Sequence, residues 1–162
     1  MTDWRANLVD DDAGLTTILK EARTVAVLGA KPGPSEPAHY VPAYLREHGY
    51  RIRPVNPRFA GQRLHDAVTV AGLDALTEEA DLIEVFRRPE YLVGHAEEIL
   101  ALPWRPKVVW FQLGIRNDAA AEKLARAGIR VVQNRCMMPE HRRLIAPEGG
   151  RAQGGPANSG SA

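Results

Sequence analysis

The sequence predicts an α/β fold: a doubly wound sheet of five parallel strands with helices on both faces. Two observations predict this class. Five short apolar segments alternate with segments of helical periodicity, and glycine, proline or asparagine follows the apolar segments. Connections of helix length join parallel strands, and such crossovers are right-handed in nearly all proteins. Helices therefore cover both faces of the sheet, in a Rossmann-like arrangement.

The five predicted strands are continuous apolar runs, which are typical of strands buried on both faces of a parallel sheet. They cover Thr24–Leu28, Tyr50–Val55, Leu82–Phe86, Val108–Gln112 and Ile129–Val132. Residues 68–70, between the second and third strands, are ambiguous between strand and loop. Trp110 lies in a predicted central strand, where a packing role is expected.

Four helices are predicted from apolar residues spaced three and four apart. They cover residues 13–22, His39–His48, Tyr91–Ala101 and Asp118–Ala127. Asp12 is the expected N-cap of the first helix, and Asn117 that of the fourth. Gly49 and Gly128 are expected to end the second and fourth helices.

Length and composition predict one ordinary globular domain, at residues 1–145, followed by a disordered tail at 146–162 rich in Gly, Ala, Ser and Pro. Of the 162 residues, 44% are apolar and the formal net charge is +1, which argues against a nucleic-acid partner.

The sequence lacks an apolar run long enough for a bilayer, so no membrane partner is expected. A single cysteine favours a cytoplasmic location, and a homodimer is compatible with this size.

The candidate ligand site lies beyond the carboxyl ends of the strands, where open parallel sheets bind their ligands. The residues that follow the strands are Gly29, Ala30, Lys31 and Ser35, then Asn56, Pro57 and Arg58, then Arg87, then Gln112 and Gly114, and finally Cys136. His39, near a helix N-terminus, is a further candidate for contact with a phosphate. This edge offers many donors to anions and no carboxylate, so the pattern predicts a polyanionic ligand.

The loop after the first strand departs from the dinucleotide-binding pattern G-x-G-x-x-G. Gly29 is present, but Lys31 occupies the position of the second glycine. Where an acidic residue would bind the ribose, the chain has Asn56-Pro57-Arg58. Both departures argue against NAD and leave NADP or coenzyme A as candidates.

Six segments, in this order and spacing, resemble the small stand-alone CoA-binding proteins. They are AVLGA (26–30), PAHYVP (37–42), RPVNP (53–57), DLIEVFRRP (81–89), WFQLGI (110–115) and NRCMMPEH (134–141). The fold of that family is similar to the CoA-binding domain of the succinyl-CoA synthetase alpha subunit. The resemblance covers roughly residues 12–145 and implies coenzyme A, or an acyl-CoA, as the ligand.

The resemblance also implies a role for each part of the edge. The loop Gly29–Ser35 would hold phosphates, and Asn56, Pro57 and Arg58 would lie beside the adenosine. Phe86 and Arg87 would line the wall near the ligand, although Phe86 also suits the core. Gln112 and Gly114 would border the cleft toward the pantetheine arm. Lys31, Arg58 and Arg87 carry charge that matches the diphosphate and the 3′-phosphate.

Two functions remain open at the level of sequence. The first is binding of CoA or an acyl-CoA without catalysis, because the chain shows no recognisable catalytic set. The second is an NADP-dependent reductase or a redox-sensing Rossmann protein.

The histidines show no metal-ligand spacing, so no metal site is expected. Cys136 is either a small buried residue or a thiol that forms a mixed disulfide with CoA. Glu84, inside an apolar strand, is expected at the rim or paired with a cation.

Overall fold

A computed structural model describes residues 3–146, and most of the predicted tail lies outside these described residues. The strands, in chain order, are β1 (Thr24–Leu28), β2 (Arg51–Val55), β3 (Arg63–Leu64), β4 (Ala67–Val68), β5 (Leu82–Val85), β6 (Val108–Phe111) and β7 (Arg130–Val132). Five of them form one parallel sheet in the order β2-β1-β5-β6-β7. The predicted fold class is therefore confirmed, and each predicted strand is within one residue of its observed bounds.

The ambiguous residues 68–70 divide between two structures. Val68 belongs to the antiparallel pair β3–β4, opposite Arg63, whereas Val70 forms a parallel bridge with Val55 at the end of β2. His65 and Asp66 connect β3 to β4 with positive φ angles of 54° and 67°. The hairpin is a separate two-stranded sheet, and Val70, just after it, adds one bridge to the main sheet beyond β2.

The helices are α1 (Asp12–Glu21), α2 (Pro37–Glu47), α3 (Leu92–Leu100), α4 (Asp118–Arg126) and α5 (Met137–Leu144). Asp11, and not Asp12, caps α1, because its carboxylate accepts from the Gly14 amide at 2.9 Å. Asp12 is the first helical residue and binds Arg143 of α5. The helix α5 was not predicted, because only Met137 and His141 of this short, polar helix are fully buried.

The start of α2 also differs from the prediction. The helix begins at Pro37, two residues before the predicted His39, so Pro42 lies in the helix interior. Pro42 has no N–H for the carbonyl four residues earlier, that of Ala38. The Lys31 amide lies 3.5 Å from this carbonyl and donates to it. The proline therefore allows the loop after β1 to fold back onto α2.

Alternate residues of β1 pack on opposite faces of the sheet, as the period of a strand requires. Val25 and Val27 contact the cluster formed with α1, α2 and α5, whereas Ala26 and Leu28 contact the cluster formed with α3 and α4. All four are buried, so helices cover both faces. No helix within residues 3–146 is long and apolar enough to cross a membrane.

Candidate functional site

The candidate site lies at the switch point of the sheet, between the carboxyl ends of β1 and β5. From β1 the chain continues to β2 on one side and later returns to β5 on the other. Gly29 follows β1 with a φ of +96°, and a Cβ there would collide with the backbone carbonyl oxygen of Phe86. Glycine is therefore needed for the close approach of the two strand ends, and this structural reason is not visible in the sequence.

The first three amides of the loop after β1 donate to protein carbonyls. Gly29 and Ala30 donate to the Val55 carbonyl at 2.8 and 3.3 Å, and Lys31 donates to α2 as described above. The Lys31 ammonium lies 3.2 Å from the carboxylate of Glu36. The expectation that this edge has no carboxylate is thus wrong, because α2 begins directly after Glu36 and brings it beside the loop. Ser35 is exposed.

The residues after β2 shape the neighbouring turn. Asn56 is buried, donates from Nδ2 to the Ala30 carbonyl at 2.8 Å, and accepts from the Arg58 amide at 3.0 Å. Both ends of its side chain are therefore engaged with the backbone. The Arg58 guanidinium is exposed and lies 5.5 Å from the centre of the Phe59 ring.

Two clefts open at this edge of the sheet, and Arg87 lines both. The apolar cleft, of about 470 Å³, is lined by Lys31, Glu36, Pro37, Ala38, Tyr40, Phe86, Arg87, Arg88, Pro89, Gln112, Leu113, Ile115 and Cys136. The loop cleft, of about 400 Å³, includes Pro57, Gly72, Asp74, Arg87, His95 and Glu98. The Arg87 Nε is buried and has no hydrogen-bond partner among residues 3–146. Arg87 thus carries unused donor capacity where the two clefts adjoin.

Five predicted site residues meet around the apolar cleft: Lys31, Phe86, Arg87, Gln112 and Cys136. Pro57 lines the loop cleft instead. Other predicted residues line neither cleft. The Nδ1 of His39 lies 3.0 Å from the Lys31 carbonyl oxygen, and the His39 ring packs against the ring of His65. The Gly114 amide donates to the Asn134 Oδ1 at 2.7 Å.

Apart from Phe86, the apolar lining of this cleft was not predicted. Leu113 is 68% exposed at its edge, and Tyr40 is 40% exposed on α2. The signal available in the sequence was Leu113, an apolar residue directly after a predicted strand and before Gly114. These side chains offer a surface to an apolar part of a ligand.

Glu84 lies neither at the rim nor beside a cation, contrary to the expectation from the sequence. It is fully buried in β5, between Val27 of β1 and Trp110 of β6 in the strand register. Its partner is an amide and not a cation: Gln112 Nε2 donates to its carboxyl oxygen Oε2 at 2.5 Å. Burial raises the pKa of Glu84 to about 8, so most of this carboxyl is neutral at pH 7.

Cys136 is half-buried at the start of α5 and lines the apolar cleft. Burial raises the pKa of its thiol, and the carboxyls of Glu84 and Glu140 act in the same direction. The thiolate is the reactive form, so this environment lowers the nucleophilicity of Cys136 near neutral pH. Within the described part of the chain, no three His, Cys, Asp or Glu residues are grouped as metal ligands.

The chain is similar to several proteins known from sequence or structure. It is 33% identical over 132 residues to the uncharacterized protein YneT of Bacillus subtilis (strain 168), covering 80% of this chain and 93% of YneT. The solved structure of cell-free ID.343 from Thermus thermophilus is 51% identical, with a TM-score of 0.80, and covers 84% of this chain and 100% of that one.

A hypothetical protein from Pyrococcus horikoshii OT3 is 32% identical, with a TM-score of 0.77, over 84% of this chain and 93% of that one. A Rex-family repressor, at 15% identity and a TM-score of 0.51, shares the fold alone. The sequence pattern described as CoA binding domain matches residues 23–142, most of the chain. The match includes β1 to β7 and both clefts, and the chain therefore belongs to the CoA binding domain family.

Proposed function

We propose that this protein binds coenzyme A or an acyl-CoA at the carboxyl edge of its sheet, without a catalytic step of its own. The observation that carries the proposal is Arg87, whose buried Nε has no partner among residues 3–146 and which lines both clefts. An unpaired guanidinium donor in such a place favours an anionic group of the ligand, such as a diphosphate. Membership of the CoA binding domain family supports the same ligand.

The two clefts match the two chemical parts of coenzyme A. We assign the pantetheine arm to the apolar cleft, where Phe86, Gln112 and Cys136 lie together. The adenosine part belongs in the loop cleft beside Pro57, with the exposed Arg58 available to the 3′-phosphate. The first three amides of the loop after β1 are engaged with the protein. We therefore propose that Ser35 and the Lys31 side chain are the groups of this loop that contact phosphate.

The proposal includes a cytoplasmic setting, where a lone cysteine stays reduced. The alternative, an NADP-dependent or redox-sensing Rossmann protein, predicts a different ligand profile and is tested together with the first. CoA, acetyl-CoA, NADP and NAD are titrated separately while the melting temperature is followed. A ligand that binds only the folded protein raises the melting temperature by mass action. A shift with NADP and none with CoA would overturn the proposal.

The role of Arg87 is tested by Arg87→Ala. Loss of a charge-assisted hydrogen bond is expected to weaken CoA binding by about 10- to 100-fold. Arg116→Ala is the matched control, because Arg116 is exposed, pairs with Asp118 and lines neither cleft. Calorimetric titration measures both variants. Equal CoA affinity for wild type and Arg87→Ala would remove Arg87 from the proposed site.

A further inference from the structure

The carboxylate of Glu36 lies against the loop that follows β1. Its Oε1 is 3.2 Å from the Lys31 ammonium, and both side chains line the apolar cleft. Its Oε2 lies over Gly33, where an added Cβ would be only 2.7 Å away. The absence of a side chain at Gly33 therefore leaves room for the carboxylate beside the lysine that we propose to contact phosphate.

The backbone on both sides of this ion pair is held by hydrogen bonds. The Glu36 amide donates to the Gly33 carbonyl at 3.0 Å, and the Glu36 carbonyl accepts from the amides of His39 and Tyr40 at 2.8 and 3.0 Å. The Lys31 carbonyl oxygen lies 3.0 Å from Nδ1 of His39. The two charged side chains are nearly half exposed. Separating the charges therefore needs only side-chain rotation, without a change in the loop backbone.

Glu36 occupies the N-cap position of α2 without capping the helix. The first amides of a helix lack partners within it, and the N-cap side chain usually accepts from one of them. The Glu36 side chain makes no such hydrogen bond. Its carboxylate is paired with the Lys31 ammonium instead, so removal of its charge should leave α2 largely intact.

We propose that Glu36 determines the affinity of the site for its ligand, because its carboxylate competes with a phosphate of the ligand for the Lys31 ammonium. The inference rests on the proposed CoA-binding function, in which Lys31 contacts phosphate. An ammonium is a compact charge with three N–H donors, and a carboxylate beside it offsets the attraction for a second anion. A phosphate that binds Lys31 must therefore displace the Glu36 carboxylate.

The test measures CoA binding by calorimetric titration of the full chain. Glu36→Gln removes the charge and keeps the length of the side chain. It is expected to tighten CoA binding by about twofold to fivefold at low ionic strength, and added salt should reduce this gain. A substitution that merely damaged the cleft would weaken binding, so the direction of the change is diagnostic. Glu47→Gln is the matched control, because the exposed Glu47 ends α2 and gives the same change in net charge.

A double-mutant cycle separates competition for Lys31 from a general effect of charge. Lys31→Met should weaken CoA binding by itself, and in that background Glu36→Gln should give a smaller gain than in the wild type. An equal gain in both backgrounds, or in Glu47→Gln, would overturn the inference, as would unchanged or weaker CoA binding by Glu36→Gln. In each of these cases CoA binding itself stands. Failure of the wild type to bind CoA would overturn the proposed function instead.

Discussion

Replacing Glu84 by glutamine should change how the stability of this protein depends on pH. The side chain lies in the interior of the sheet, between Val27 and Trp110, with no exposed surface. Burial raises the pKa of its carboxyl from 4.5 to about 8. Glutamine preserves the shape and an acceptor for Gln112 but cannot ionise, so the variant isolates the effect of this one proton.

The magnitude follows from proton linkage. Between pH 4.5 and 8 the folded protein keeps the Glu84 proton that the unfolded chain releases. The folded state then binds more protons, so the free energy of unfolding falls as pH rises, by about 1.4 kcal/mol per pH unit. Above the folded pKa the contribution becomes constant.

Two histidines act in the opposite direction at lower pH. Burial lowers the pKa of His65 and of His141 from 6.5 to about 4. The unfolded chain therefore binds more protons at these positions between pH 4 and 6.5, and stability rises with pH in that interval. The Glu84 contribution is consequently clearest between pH 6.5 and 8, where it amounts to roughly 2 kcal/mol.

Urea unfolding of the wild type and of Glu84→Gln at the two limits of this interval measures the effect. Relative to the wild type, the free energy of unfolding of the variant should rise by about 2 kcal/mol between pH 6.5 and pH 8. Glu47→Gln serves as control, since Glu47 is exposed and forms no ion pair among residues 3–146. A difference between wild type and Glu84→Gln that stays constant from pH 6.5 to 8 would refute the reasoning.

Three further predictions concern the site. Gly29→Ala should lower the free energy of unfolding by about 1–3 kcal/mol more than Gly49→Ala in urea titrations. Both glycines have a φ of +96°, and only the first Cβ collides with Phe86. Arg58→Ala should weaken binding of CoA and leave dephospho-CoA nearly unchanged, and equal losses in calorimetry would contradict contact with the 3′-phosphate. Cys136, with its raised pKa, should form a CoA adduct slowly at neutral pH and faster at alkaline pH. Mass spectrometry after mixing with CoA disulfide checks this, and a rate independent of pH would contradict it.

Local patterns were enough to predict the scaffold. In β1 and β5, runs of buried apolar residues ended by a turn identify parallel strands, because such strands are covered on both faces. The order of elements then places Gly29 and Arg87 at the same edge of the sheet. The α5 helix escaped prediction because it is short and polar: only Met137 and His141 are fully buried, and Met138 and Leu144 pack against the core with part of their surface exposed.

The sequence by itself determined the fold class, the edge of the sheet that carries the site and the departure from an NAD pattern. Only the tertiary structure decided which residues meet there. Asn56 is engaged with the backbone, Lys31 with Glu36, and Glu84 with an amide that it orients. These pairings join residues distant in sequence or depend on how a loop folds back. Strand periodicity depends on local geometry and is visible in sequence, whereas partners across strands depend on packing.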